Sequence, residues 1–234
     1  MEFLLFTVHA PMSAFGDVVM GRHRSSWDRP SKSGMLGLAA AALGIDRADN
    51  TGHRQLHEGL GFAVRSDALG ESMTDFHTVQ VGQGVNAKRA LTRRDELAVA
   101  KIATLPTYRE YRSDAVHTIA LWRRAEVGWA LQEIANALRE PRWALYVGRR
   151  CCPLSLPLNP EILEAPDLMN ALAMRPALPE PIADALGLEL GESLIATEAD
   201  TPGVKPTQIT TRRDVYGRTE NDLRWFHERS EWRI

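Results

Sequence analysis

An α+β fold with a ferredoxin-like arrangement over its first 150 residues is what the sequence predicts, and three observations predict it. One is an Ala- and Leu-rich helix pattern between Ser31 and Gly44. Another is the recurrence of Val127, Ala130, Leu131, Ile134, Ala135 and Leu138 at helical spacing. The third is a set of short strand-like runs around them, which puts the elements in the order β-α-β-β-α-β. An RNA-recognition fold has that architecture, and so do many unrelated domains.

Glu2 to His9 (EFLLFTVH) is a short apolar run suited to a buried strand, closed by Ala10-Pro11-Met12. A loop with the basic tip Arg22-His23-Arg24-Ser25-Ser26 leads to Arg29. The first helix then has a marked entrance, because Pro30 keeps the preceding residue out of helix and Ser31 or Ser33 can cap; it ends at Gly44. Gly34 and Gly37 each cost about 1 kcal/mol relative to Ala in such a helix, so close packing or close approach of another backbone is expected there. The free N–H groups of its first turn, beside Lys32 and Arg29, make an anion site; the plainer reading is a core helix with a Ser cap and a solvated Lys.

A polar linker is expected over Asp46–His57. Gly61–Ser66 alternates as a strand, with Thr74–Val79 as its hairpin partner. Gly82 to Arg94 (GQGVNAKRALTRR) lacks apolar periodicity and carries four cations, which reads as a mobile basic excursion. Leu105–Arg112 interleaves aromatic and basic residues, and Ala115–Trp122 is a further strand. After the second helix, stopped by Pro141, the run Arg142–Val147 (RWALYV) completes the pattern as its last strand. Residues 154–234 are punctuated by proline and hold strand-like pieces at Ser193–Thr197 and Gln208–Arg212, an irregular β-containing extension.

The 234 residues are enough for a sizeable core, and 44% hydrophobic with 25% charged content is that of a soluble globular protein. No run approaches the roughly 18 apolar residues of a membrane span and no signal peptide is evident, so a cytoplasmic protein with no membrane partner is expected. A net charge of −2 excludes nucleic-acid binding through bulk basicity and leaves local patches to do it. Those patches exist: cations gather at Arg22, Arg24, Arg29 and Lys32, at Lys88, Arg89, Arg93 and Arg94, and at Arg149 and Arg150. Residues 161–200, by contrast, hold nine acids against the single base Arg175.

No nucleotide-binding glycine loop and no HExxH or similar metal-ligand spacing occurs, and Cys151 and Cys152, being adjacent, make an ordinary disulfide strained and are too few for a structural zinc site, so no cofactor, metal or redox chemistry is expected. A metal-free ribonuclease needs a base and an acid, for which His23, His77 or Tyr108 are candidates that no spacing selects. The stronger signal is aromatic and basic interleaving. Tyr108-Arg109-Glu110-Tyr111-Arg112 and Tyr146-Val147-Gly148-Arg149-Arg150 offer both base stacking and phosphate contacts, the pair of interactions that holds single-stranded RNA.

Five motifs occur in an order that resembles the CasD family of type I-E CRISPR Cascade subunits. They are Ala10-Pro11-Met12-Ser13-Ala14-Phe15-Gly16, Arg29 to Ile45, Asp75-Phe76-His77-Thr78-Val79, Tyr108-Arg109-Glu110-Tyr111 with Asp114, and Tyr146-Val147-Gly148-Arg149-Arg150-Cys151-Cys152-Pro153-Leu154. The match covers roughly residues 1–158; Phe15 replaces a common Trp, and Cys-Cys replaces the usual Ser-Cys. The resemblance implies a repeat-associated (RAMP) ferredoxin-like domain over 1–153, a thumb hairpin inserted at about 80–107, and the extension 154–234 packed on it. It further implies a non-catalytic subunit that holds the 5′ handle of the CRISPR RNA and caps the backbone filament. The implied partners are that RNA, the Cascade backbone and large subunits and, indirectly, target DNA. A metal-independent endoribonuclease of CRISPR repeat RNA is the alternative. The RNA-binding residues expected on both grounds are Arg22, Arg24, Lys32, Ser33, His77, Lys88, Arg89, Tyr108, Arg109, Tyr146, Arg149 and Arg150.

Overall fold

The computed structural model describes residues 1–16, 21–176, 178–191, 193–198, 201, 204–205, 208–216 and 225–233, with side chains as far as Gln208. Residues 17–20 of the loop before Arg29, and Pro202 and Pro206 of the extension, lie outside these. In chain order the elements are β1 Glu2–His9, β2 Met12–Ser13, β3 His23–Arg24, α1 Lys32–Leu43, α2 Asn50–Gly59, β4 Leu60–Ala68, β5 Glu71–Gly82, α3 Val85–Lys88 and α4 Arg93–Leu97. They continue with β6 Ile102–Ser113, β7 Val116–Arg123, α5 Leu131–Arg139, β8 Glu161–Glu164, α6 Leu168–Met174, α7 Glu180–Leu186, β9 Leu194–Glu198, β10 Gln208–Tyr216 and β11 Trp225–Arg233. The result is a mixed α+β fold with two sheets.

The larger sheet runs β10-β11-β9-β4-β7-β1-β8, and its pairs are antiparallel. β1 is apolar at nearly every position because both of its faces are covered. Leu4, Phe6 and Val8 join a core with Met35, Leu36 and Ala39 of α1 and Ile134 and Leu138 of α5, whereas Phe3 and Leu5 pack with Trp122, Leu168 and Leu172 on the α6 side. α1 forms where its caps predict. Ser31 accepts from the Gly34 N–H, and Gly44 closes the helix at φ 77°, its own N–H bonded to the last carbonyls. The sheet also joins strands from both sides of residue 153, since β8 pairs with β1 and β9 with β4.

Five local expectations are corrected. Arg142–Val147 is not a strand: the edge of β1 is taken by β8, and the segment instead folds back on itself, with Val147 N–H donating to Cys152 O at 2.8 Å. Asp46–His57 is not a linker throughout, because Asp49 caps α2, whose Leu56 is fully buried. β5 does not pair with β4, whose two edges are occupied by β7 and β9; it pairs with β6 over twelve residues in the second sheet. Gly82–Arg94 is not structureless, for the end of that ribbon carries α3 and α4, the latter capped by Thr92. Gly37 meets no close neighbour: a Cβ there finds nothing within 4 Å, so close packing does not account for it.

Candidate nucleic-acid interface

β6 is the spine of the second sheet. Its residue Tyr108 is the register partner of Phe76 on β5 and of His23 on β3, so three rings stand in one row across three strands. His23 stacks on Tyr108 with ring centroids 4.5 Å apart and planes 15° off parallel, and Phe76 leans against the same ring at 5.4 Å. Phe76 is 57% exposed and His23 is exposed, a costly way to place apolar rings unless another flat group covers them. Tyr108 N–H donates to Arg22 O at 2.9 Å, which ties the basic tip of the long loop to the row.

Strand alternation puts Asp75, His77, Arg109 and Tyr111 on the opposite face of the ribbon from Phe76 and Tyr108. Asp75 pairs with His77 there. Near the domain end of that face Arg149 lies over the Tyr111 ring at 4.3 Å, donating to Glu110 O at 3.0 Å and to Arg24 O at 3.3 Å. The turn carrying Arg149 is set by Gly148 at φ 86°, where an added Cβ would come within 1.8 Å of Ala14 O, a close backbone approach open only to Gly. Cys152 N–H closes the same turn on Arg149 O at 2.9 Å. Arg22, Arg24, Arg150 and Tyr146 are exposed around it.

Arg22, Arg24, His77, Tyr108, Arg109, Tyr146, Arg149 and Arg150 are therefore carried by the second sheet and the 146–153 turn. Lys88, on α3, and Arg89, just after it, are exposed beyond Gly82 and about 20 Å along the ribbon from Phe76. Lys32 sits elsewhere. It is buried, and its ammonium is 2.9 Å from Glu198, which also takes Arg124 at 3.2 Å and Phe62 N–H at 3.0 Å. Ser33 is half-buried beside Ser31, and Arg29 pairs with Asp28 at 2.5 Å, so the α1 entrance is occupied by the protein's own groups. Sequence reasoning missed the ring row itself: Phe76 and His23 are single aromatic residues in polar runs, and only the strand register shows that both face Tyr108.

Several findings locate the chain among known proteins. Residues 3–226 match the family model described as CRISPR-associated protein (Cas_Cas5). The CRISPR system Cascade subunit CasD of Escherichia coli (strain K12) is 32% identical over 223 residues, 90% of this chain and 93% of that protein. A chain of a CRISPR RNA-guided surveillance complex superposes with a TM-score of 0.65 at 24% identity, over 99% of this chain and 89% of that one. A further solved structure, described as a Cas protein, gives 0.57 at 25% identity over 99% and 93%. With a family model spanning nearly the whole chain and a relative of this identity and coverage, the protein belongs to the Cas5 family of CRISPR-associated proteins.

Proposed function

We propose that the chain is a non-catalytic RNA-binding subunit of a type I-E Cascade complex, holding the 5′ handle of the CRISPR RNA and capping the backbone filament. The observation that carries this reading is the exposed Phe76–Tyr108–His23 row on one face of the second sheet, with Arg22 and Arg24 flanking His23 along the chain and Arg149 over the opposite face. Unpaired bases gain about 1–3 kcal/mol each from stacking on such rings, and guanidinium forks fix the phosphates between them. The names of the relatives agree with it, one being a Cascade subunit and one a chain of an RNA-guided surveillance complex. The antiparallel strands β8-β1-β7-β4, with α1 and α5 as their crossovers, support the ferredoxin-like domain, and the β5–β6 ribbon with α3 and α4 supports the thumb. The thumb would meet the adjacent backbone subunit, and the body would meet the large subunit that engages target DNA in the cytoplasm.

Replacing Phe76 and Tyr108 with Ala should weaken binding of a handle-bearing CRISPR RNA by about thirtyfold or more, the lower end of what two stacked bases contribute. Fluorescence anisotropy at fixed salt reads it. Affinity unchanged in the double variant would remove the row from the site.

The endoribonuclease reading is favoured by the Asp75–His77 pair, since a carboxylate beside an imidazole orients a general base. Against it, the ribbon places His77 on one face and Tyr108 with His23 on the other, so a base and an acid from these three do not converge on one phosphate.

A further inference from the structure

We propose that Cys151 and Cys152 form a redox modification site, which a two-electron oxidant such as hydrogen peroxide closes into a disulfide that weakens RNA binding. This rests on the RNA-binding reading of the Arg149 turn. The two sulfurs are already 3.9 Å apart, with Cys151 exposed and Cys152 fully buried. They need to approach by only about 2 Å to reach bonding distance.

The exposed Cys151 thiolate attacks a peroxide oxygen, the O–O bond breaks, and a sulfenic acid and hydroxide result. The Cys152 sulfur then attacks the Cys151 sulfur and water leaves, so two thiols and one peroxide give one disulfide and two waters. Burial, reinforced by the neighbouring Cys151, pushes the Cys152 thiol up to about 11, which agrees with Cys151 being the sulfur that meets the oxidant first. The closed form is strained, because adjacent Cα atoms sit about 3.8 Å apart, below the 4.4–6.8 Å of ordinary disulfides. Strained disulfides are the easily reduced, regulatory kind rather than permanent staples.

The position of the pair links closure to the site. Cys152 N–H donates to Arg149 O at 2.9 Å, Cys152 O accepts from Val147 N–H at 2.8 Å, and Cys151 Sγ lies 3.7 Å from the Tyr111 hydroxyl. Twisting the peptide between the two cysteines shifts all three contacts at once. Arg149, now stacked on Tyr111 and bonded to Glu110 O and Arg24 O, loses the turn that holds it there.

The test treats the full chain with hydrogen peroxide, then measures intact mass, alkylation of the peptide holding residues 151 and 152, and affinity for a handle-bearing CRISPR RNA. Expected are a loss of two hydrogens, protection of both thiols, an affinity about tenfold weaker as one arginine contact is lost, and full recovery with dithiothreitol. Cys151→Ser, whatever its starting affinity, should show no loss of two hydrogens and no change in RNA affinity on treatment with the oxidant. A gain of oxygen without ring closure, or an oxidised protein that binds RNA as tightly as the reduced one, overturns the proposal. If the reduced protein binds no RNA, the RNA reading fails instead, and the mass measurement still decides whether the pair closes.

Discussion

Lys32 carries a charge into the core, and its loss should be felt there rather than at the RNA. Its ammonium and the Glu198 carboxylate are 2.9 Å apart with side chains 2% and 9% exposed, so Lys32→Met leaves a buried carboxylate that has lost one of the two cations beside it among the described residues. Breaking such a pair costs about 3 kcal/mol, equivalent to a fall in Tm of roughly 6–12 °C for a chain of this size. Thermal melting should show that fall while RNA affinity per folded molecule stays unchanged; the reverse pattern would return Lys32 to the binding site. His9 makes a second residue-scale case. It is buried against Ser155, and burial lowers its pKa from the ordinary 6.5, with Asp114 partly opposing. Below pH 6.5 the unfolded chain therefore binds a proton that the native chain does not, so stability falls as pH drops through 6.5 and levels off below the native value. Urea midpoints between pH 7.5 and 5 should decline, and His9→Gln should flatten that decline; equal slopes in both proteins would show that His9 titrates alike in both states.

At the level of elements, α1 should accept improvement. Gly37 is exposed, and a methyl group added there would find nothing within 4 Å, so Gly37→Ala should raise stability by about 1 kcal/mol and Tm by roughly 2–4 °C. A lower Tm would reveal a constraint that the open surface does not show. The helix is legible in the sequence because its signals are local: Pro30, the Ser31 cap, an Ala/Leu interior and Gly44. β1 is legible for the same reason. Most of what sequence reasoning misplaces depends on distant residues. Glu198, the partner of Lys32, is 166 positions away. β5 reads as the mate of β4 until β9, from residues 194–198, is seen to fill that edge. Arg142–Val147 has strand composition, but the slot beside β1 goes to Glu161–Glu164. α2 reads as a linker because Leu56 is its one large apolar residue, and a single anchor gives no periodicity.

Across the whole molecule, charge is separated. A net charge of −2 conceals a cationic face at the second sheet and an acidic stretch over residues 161–200, where Arg175 is buried against Glu161, Thr7 and the carbonyl of Asn159. The cationic residues of the site are legible as clusters in the sequence, whereas the aromatic row is not, because it is a property of register between β3, β6 and β5. If the chain binds RNA as proposed, that row is what would set RNA apart from an anion in general as its ligand. Incubating the purified protein with its CRISPR repeat RNA in EDTA separates a chain that grips the handle from one that cuts it. The expected result on a denaturing gel is intact RNA, with a matching anisotropy titration showing binding whose log–log salt slope drops by roughly one unit per phosphate contact when Arg149 and Arg150 are changed to Ala. Cleavage at a single repeat position, abolished by changing His23, His77 or Tyr108, would contradict the non-catalytic reading.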